Sequence, residues 1–572
     1  MSDHDELDAI RASLESWETE YAQHFEINER KKRYESESGI PYKRVYTPLD
    51  IDEKGHSYMK DLGMPGNYPY TRGRTCSGQR DQSAAILPND VWSHGTPEEN
   101  NKLWKTMFGR GAVPFLVVAY DLACLRGYDP DDPRAEGQIG TVGLSFASLR
   151  DWEIALDGID IKMLPIYHAV SSLPSIVLAY QAAVLHLRGL DVSQMLGVIQ
   201  NDFTKDYTVG NYCIFPLKHA MRQNLDVICW CNEHAPFYLP LDICSYHQWE
   251  SGVTPVQATA ITMAAAIYYL EAARERGVDV DSFAPKIITN DGGTHATFWE
   301  NIATLRAFRR IWAKTLRDRF GAKYPESMRL KGSVGNGGSL ACKQEYLNNI
   351  TRTTLAALSG ILAGEGIRIV PPTEALGVPD AEATYFALQA QRIIYHETDI
   401  CDVVDPLGGS YFVESLTSEV EERIWKELDT IEKHGGMMRC IETGYFQKMR
   451  TDSCYKWQTA FDRGDIVRVG VNRFVSPELQ QAKPVFTPYR SNPESERQRI
   501  AAIQELRRKR DNEKVKKALS DVKVVAAAEP TPENNIMPPI IEAVKCYATI
   551  GEIADALREV WGEYQGLGTK VF

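Results

Sequence analysis

No run of about 18 consecutive apolar residues occurs in this chain, so no membrane-spanning helix is expected. No CxxC pair stands among its 11 cysteines, which are scattered. That pattern argues against a disulfide framework and for a reducing compartment. No extended Lys/Arg tract is present and the net charge is −13, which argues against nucleic acid as the main partner. No secretory signal is visible either, because Met1 to Glu15 is acidic and has no apolar centre. A cytoplasmic globular protein is the expectation. What is present is ordinary for one: 572 residues, 43% hydrophobic and 25% charged, enough for one large domain with appendages or several smaller ones.

Apolar strand-like runs recur along the chain at 115–120, 163–167, 196–199, 241–246, 287–289, 328–334 and 367–370, with a weaker run at 84–87. Helix-period segments separate them at 98–108, 173–187, 217–231, 256–276, 296–320 and 344–362. Strands alternating with helices predict parallel βαβ units. Eight such runs suggest an α/β (β/α)8 TIM barrel, with an open doubly wound sheet as the alternative. Residues 1–45 are polar and helical and predict an N-terminal arm; 46–480 would be the barrel; 481–572 would be a linker and helical C-terminal extension. The stretch 47–73 is rich in Gly, Pro and Tyr and reads as an ordered loop.

Polar residues close several runs: Asp121, His168, Asn201-Asp202, His247 and Asn290-Asp291. In a barrel they would gather at the C-terminal face, where such folds keep their chemistry. The stretch Cys244-Ser245-Tyr246-His247-Gln248-Trp249-Glu250 stands out among them, followed by a long apolar helix pattern. A metal-dependent hydrolase using His247, Asp202 and Asp291 is one reading of that face, although no ligand-spaced pair such as H-x-H is present.

Further stretches carry a likeness to a known family. They are Asp61-Leu62-Gly63 through Gly73, Arg126-Gly127-Tyr128-Asp129, Gln200-Asn201-Asp202, and Tyr246-His247 with Glu250. Later come Phe320-Gly321-Ala322-Lys323, Glu374-Ala375-Leu376, Asp405-Pro406-Leu407-Gly408-Gly409-Ser410 and Gly470-Val471-Asn472-Arg473-Phe474. With these the chain resembles the catalytic chain of the adenosylcobalamin-dependent acyl-CoA mutases, from about Tyr46 to the C-terminus. The resemblance implies a radical 1,2-shift in an acyl-CoA, with the cofactor carrying the chemistry. It assigns catalytic roles to His247, which would hydrogen-bond the substrate carbonyl, and to Gln200. It places Tyr120, Val142, Glu250, Gly337, Glu374 and Ala375 toward the corrin. Family members that carry their own cobalamin domain show a D-x-H-x-x-G motif, and none of the 12 histidines stands in that pattern. The resemblance therefore implies a separate small cobalamin-binding subunit, with the two chains forming a heterotetramer.

The chain departs from the family pattern in the substrate loop. Thr75 replaces an aromatic residue, Gly78 a methionine, Gln82 and Leu87 two arginines, and Asn89 a tyrosine. The arginine that grips the free carboxylate of methylmalonyl-CoA appears as Gly210, which loses a charged contact of roughly 1.5–3 kcal/mol. Lys286 retains a positive charge where relatives place an arginine on CoA. The expected substrate is thus a bulky, branched, hydroxylated or aryl-substituted acyl-CoA rather than methylmalonyl-CoA. A non-CoA substrate and a non-catalytic partner of a cobalamin protein are the alternatives. Arg74 or Arg80 could restore an anion site from a new direction.

Overall fold

The computed structural model describes residues 3–24, 33–52, 55–81, 93–111, 115–210, 212–293, 296–480, 486 and 489–566. Its strands are β1 (His94–Gly95), β2 (Leu116–Ala119), β3 (Gly143–Leu144), β4 (Ile166–Ala169), β5 (Gly197–Ile199), β6 (Tyr238–Leu239), β7 (Leu241–Ile243), β8 (Ile287–Gly293), β9 (Lys331–Asn336) and β10 (Gly366–Arg368). Every pairing between them is parallel, in the orders β2-β4-β5-β6 and β7-β8-β9-β10. Only Pro240 separates β6 from β7; proline has no N–H for the ladder, so the strand is interrupted there. Asp242 N donates to Gln200 O at 2.9 Å and carries the pairing across that gap. Ser93 Oγ donates to the Val117 carbonyl at 2.9 Å, which sets β1 beside β2, while β3 joins β1 at the rim.

The register puts Val117, Tyr167, Val198 and Leu239 side by side, and Ile288 of β8 packs against the same cluster. These side chains face one another across an interior, and one cavity is lined by both β2 and β10. The eight staves β1, β2, β4, β5, β6/β7, β8, β9 and β10 form a (β/α)8 barrel. The weak run at 84–87 lies outside the described residues.

The helices Pro174–Leu187 and Pro255–Glu275 are apolar nearly all round and almost wholly buried, as helices trapped between a barrel and an outer layer should be. The outer layer includes the helix Tyr411–Lys433, packed on the helices Phe298–Asp318 and Pro255–Glu275. Between Tyr411–Lys433 and Phe298–Asp318 runs a buried charge network: Arg306 pairs with Asp405 and Glu414, and Arg310 with Glu414 and Glu421. Arg309 donates to the carbonyls of Tyr70 and Thr71, at 2.9 and 2.8 Å, and pairs with Glu365. The Gly- and Tyr-rich loop is thereby clamped to the barrel wall.

Residues 1–45 are only partly the helical arm expected. The helix is Asp3–His24, and residues 33–46 run irregularly over the barrel, where Glu37 N and Ser38 N donate to Glu300. The C-terminal extension carries the helices Pro493–Lys509, Asn512–Ala527, Met537–Lys545 and Ile550–Trp561. This extension is part of the main core. Val522, Ile540, Ile553 and Leu557 are buried in the same cluster as Leu149 and Ile176. Arg222 donates to the carbonyls of Val525, Ala526, Ala528 and Asn534, and Asp129 accepts from Thr549 Oγ1 and Gly551 N. The extension is a fixed side wall.

Candidate functional site

The barrel mouth opens into a cavity of about 290 Å³, lined by residues from seven staves, among them Ala119, Tyr167, Gln200, Cys244, Asn290, Gly335 and Arg368. His247 projects into it from a short helix, Ser245–Glu250, where the sequence pattern suggested a strand continuing to Tyr246. Two bonds fix that helix. Ser245 Oγ donates to Asp291, and Gln248 Nε2 donates to Thr208 Oγ1 at 2.8 Å. His247 Nδ1 is buried and has no hydrogen-bond partner. Burial, and then the Lys205 charge, hold its pKa well below the usual imidazole range. The ring is therefore neutral at pH 7, with one N–H to donate and one lone pair to accept.

Gln200 follows β5 and is buried, held in a chain of hydrogen bonds. Lys205 Nζ donates to its Oε1 at 2.7 Å, and its Nε2 donates to Tyr167 Oη at 3.0 Å. Tyr167 in turn donates to Asp242 Oδ2 at 2.5 Å. Burial raises the Asp242 carboxyl to about 6, although Tyr167, Arg368 and Lys205 all act to lower it. Asp206, also at the cavity, is pushed up to about 7 by burial against the opposing pull of Lys205. The cavity thus holds two cations, Lys205 and Arg368, beside carboxyls that burial makes reluctant to ionise.

Glu250, Gly337, Glu374 and Ala375 come together on one arc of the rim. Glu250 accepts from Ser339 N and Ser339 Oγ, each at 3.1 Å, and a Cβ on Gly337 would fall 1.8 Å from Glu250 Oε1 and 2.1 Å from the Trp249 ring. A Cβ on Gly338 would sit 3.5 Å from Glu374 Cγ, and Ala375 is in the same short turn, Glu374–Leu376. Val142, just before β3, is 61% exposed despite being apolar. Tyr120 is different: it is buried in the wall, with its hydroxyl 2.7 Å from His168 Nδ1 and its ring beside Phe146. Only part of its surface reaches the cavity.

Not all the polar strand-end residues gather at the mouth. His168 is bonded to Tyr120 and Gln181 inside the wall, and burial lowers its pKa to about 4. Asp121 and Asp202 cap helices, Asn201 bonds Asn224 and Pro240 carbonyls, and Asp291 accepts from Ser245 and Thr289. Asp202 and Asp291 are therefore committed elsewhere and do not join His247 in a metal centre. Among the described residues no group of three or more His, Cys, Asp or Glu is placed to hold a metal ion.

The expected substrate residues are dispersed. Thr75 Oγ1 accepts from Gly78 N at 3.2 Å within the loop, and Gly78 faces Val404. Gly210 packs on Asp206, and Lys286 immediately precedes β8, at the opposite end of that stave from Asn290, where it donates to Asn232. Gln82 and Asn89 lie outside the described residues. Arg74 donates to the Gly332 carbonyl, and Arg80 is exposed. Neither lines the cavity. Sequence reasoning passed over Tyr167, Lys205, Asp206, Tyr212 and Arg368 as cavity residues. Arg368 left a signal: it is a lone charge inside the apolar run Ile367-Arg368-Ile369-Val370.

His247, with a buried Nδ1 that has no hydrogen-bond partner, thus stands at the mouth of a barrel, the place where such folds keep their active sites. The comparisons specify the family. The family model described as methylmalonyl-CoA mutase matches residues 35–563. The 2-hydroxyisobutanoyl-CoA mutase large subunit of Aquincola tertiaricarbonis is 34% identical, over 97% of each chain. The methylmalonyl-CoA mutase of Rhizobium meliloti is 30% identical over 97% of this chain and 76% of its own, and that of Escherichia coli is 31% identical over 94% and 74%. The chain belongs to the methylmalonyl-CoA mutase family, and it is an isomerase of the mutase type.

Proposed function

We propose that the chain is the substrate-binding catalytic subunit of a coenzyme B12-dependent carbon-skeleton mutase that isomerises an acyl-CoA by a radical 1,2-shift. The observation that carries this reading is His247, neutral and without a partner on Nδ1, at the cavity below the rim. The rim suits a flat group. Gly337 leaves no room for a side chain, Val142 offers bare apolar surface, and Glu250 and Glu374 stand beside the two glycines. Glu250, Gly337, Glu374, Ala375 and Val142 would hold adenosylcobalamin across the mouth. Tyr120 would support the wall beneath. When bound, that cofactor supplies the radical chemistry.

The chain's own residues bind, orient and shield. His247, as a neutral donor, would hydrogen-bond the thioester carbonyl and polarise it without surrendering a full proton. Gln200, with its oxygen held by Lys205, would present only its amide hydrogens to the same region. The apolar surfaces of Val117, Ala119, Ala169, Ile369 and Val370 would exclude water from the reacting carbon atoms.

The substrate we infer is bulky, branched, hydroxylated or aryl-substituted, and not methylmalonyl-CoA, because Gly210 supplies no clamp for its carboxylate. Thr75, Gly78, Gln82, Asn89 and Lys286 would bear on the rest of the substrate, Lys286 from the far end of the barrel. A separate small cobalamin-binding subunit would complete a heterotetramer, with the C-terminal wall as part of its seat. The name "large subunit" of the Aquincola relative, matched over 97% of both chains, supports that pairing. The test is to mix the chain with a small cobalamin-binding subunit and adenosylcobalamin and screen acyl-CoAs for isomerisation. Turnover of one of them supports the reading; an inert pair with every thioester and acid offered overturns it.

A further inference from the structure

Resting on that function, we propose that Asp206, with Lys205 beside it, is a specificity residue that reads a hydroxyl group on the acyl portion of the substrate. Both stand on the helix after β5, Phe203–Thr208, and both line the cavity that Gln200 and His247 share. Lys205 Nζ donates to Gln200 Oε1 at 2.7 Å and to no other described residue. Its distance to Asp206 Oδ1 is 3.9 Å, too long for a hydrogen bond. The Asp206 carboxyl, only 5% exposed, accepts no hydrogen bond from any described residue. A Cβ on Gly210 would come 3.4 Å from Asp206 Oδ1, so the glycine puts no side chain over that oxygen.

A structural role for Asp206 would be an ion pair with Lys205. The geometry speaks against that as its whole purpose, because the ammonium sits at hydrogen-bond distance from the Gln200 amide and not from the carboxyl. A carboxyl taken out of water and given no hydrogen bond is destabilising, and a ligand that donates to it would offset the loss. A hydroxyl carries one O–H to donate and two lone pairs to accept; an ammonium only donates, and an ionised carboxylate only accepts. A substrate hydroxyl between the two residues can therefore donate to Asp206 and accept from Lys205. An apolar acyl group would cover both and return neither bond. Burial raises the Asp206 carboxyl to about 7, against the pull of Lys205 and with a smaller push from Asp202. A carboxylate on the substrate would fit only while Asp206 kept its proton, since two adjacent carboxylates repel, whereas a hydroxyl fits either form.

The test compares three thioesters of one branched skeleton, apolar, hydroxylated and carboxylated, on the chain reconstituted with a small cobalamin-binding subunit and adenosylcobalamin. The unchanged enzyme is expected to favour the hydroxylated thioester. Asp206→Leu should lower the ratio of kcat/KM, hydroxylated to apolar, roughly 10- to 100-fold, and Asp206→Asn, which keeps an acceptor, should preserve most of it. A merely structural Asp206 would move all three thioesters together and leave the ratio alone. Lys205→Met also releases Gln200, an effect common to all three, so its readout is the same ratio, which should fall too. Should Asp206→Leu not fold, the preference of the unchanged enzyme and the Lys205→Met ratio still decide. The same acyl groups as unreactive thioethers, titrated calorimetrically into the reconstituted protein, give the ratio from affinities if no thioester turns over, and so separate this inference from the proposed function. A preference for the apolar or the carboxylated compound, or a hydroxyl preference that Asp206→Leu or Lys205→Met leaves intact, overturns it.

Discussion

Lys205 Nζ donates to Gln200 Oε1 at 2.7 Å, and this bond decides which end of the Gln200 amide is left to act. With the oxygen taken, the amide nitrogen donates to Tyr167 Oη and toward Cys244 Sγ, both of which line the cavity. Lys205→Met should free the amide to flip and lower kcat/KM by about tenfold, on the scale of one charged hydrogen bond. Steady-state kinetics on the reconstituted pair check it; an unchanged kcat/KM would mean the amide orientation does not matter.

His247→Ala should lower turnover by roughly 100- to 1,000-fold, the scale of one lost donor at a developing negative charge, while melting temperature and subunit assembly stay put. Because burial and Lys205 hold the ring neutral, His247 should contribute no limb to the pH–rate profile between about pH 6 and 8. An imidazole limb in that window that vanishes in His247→Gln would contradict its neutral state.

Gly337→Ala tests the rim without touching the cavity floor. Its new methyl would collide with Glu250 and Trp249, so cofactor affinity should fall at least severalfold while the far-ultraviolet spectrum is unchanged. Equal affinity in the two proteins would separate this rim from the corrin.

Asp291 gives a pH prediction for stability. Burial, with Glu365 and Asp242 adding to it, raises its folded-state carboxyl to about 7, above the unfolded value near 4. A raised folded pKa means its stabilising proton is fully present below about pH 4 and is lost as pH rises through about 7. Asp291→Asn keeps the acceptor for Ser245 or Thr289 and removes the titration. The melting temperature of the variant should therefore fall less than that of the parent between about pH 5 and pH 8.

Arg222 tests the C-terminal wall. Its guanidinium serves four carbonyls of the extension and lies beside the buried Asp226. Arg222→Met should cost about 3 kcal/mol and raise hydrogen exchange first in the helices after residue 511. Uniform exchange across the chain would show that the extension does not open separately.

The alternation of apolar runs with helix-period segments was enough to determine parallel βαβ units, because strands buried on both faces read as short apolar runs whatever their neighbours, but it left barrel and open sheet both standing. Pro174–Leu187 and Pro255–Glu275 were legible within a residue or two for a similar reason: apolar periodicity and a proline at the start are local signals. The resemblance around Tyr246-His247 marked an imidazole that lines the mouth cavity. What the sequence could not determine was which polar strand-end side chains turn inward. Asp121, His168, Asp202 and Asp291 look like Asn290 in sequence, yet they go to helix caps and wall bonds. That choice depends on partners far along the chain, such as Gln181 for His168 and Tyr269 for Asp202, and no local pattern encodes them. The same holds for Arg368 and Lys205: only closure of the barrel brings residues from β10 and from the helix after β5 to one cavity, where burial lowers the His247 pKa.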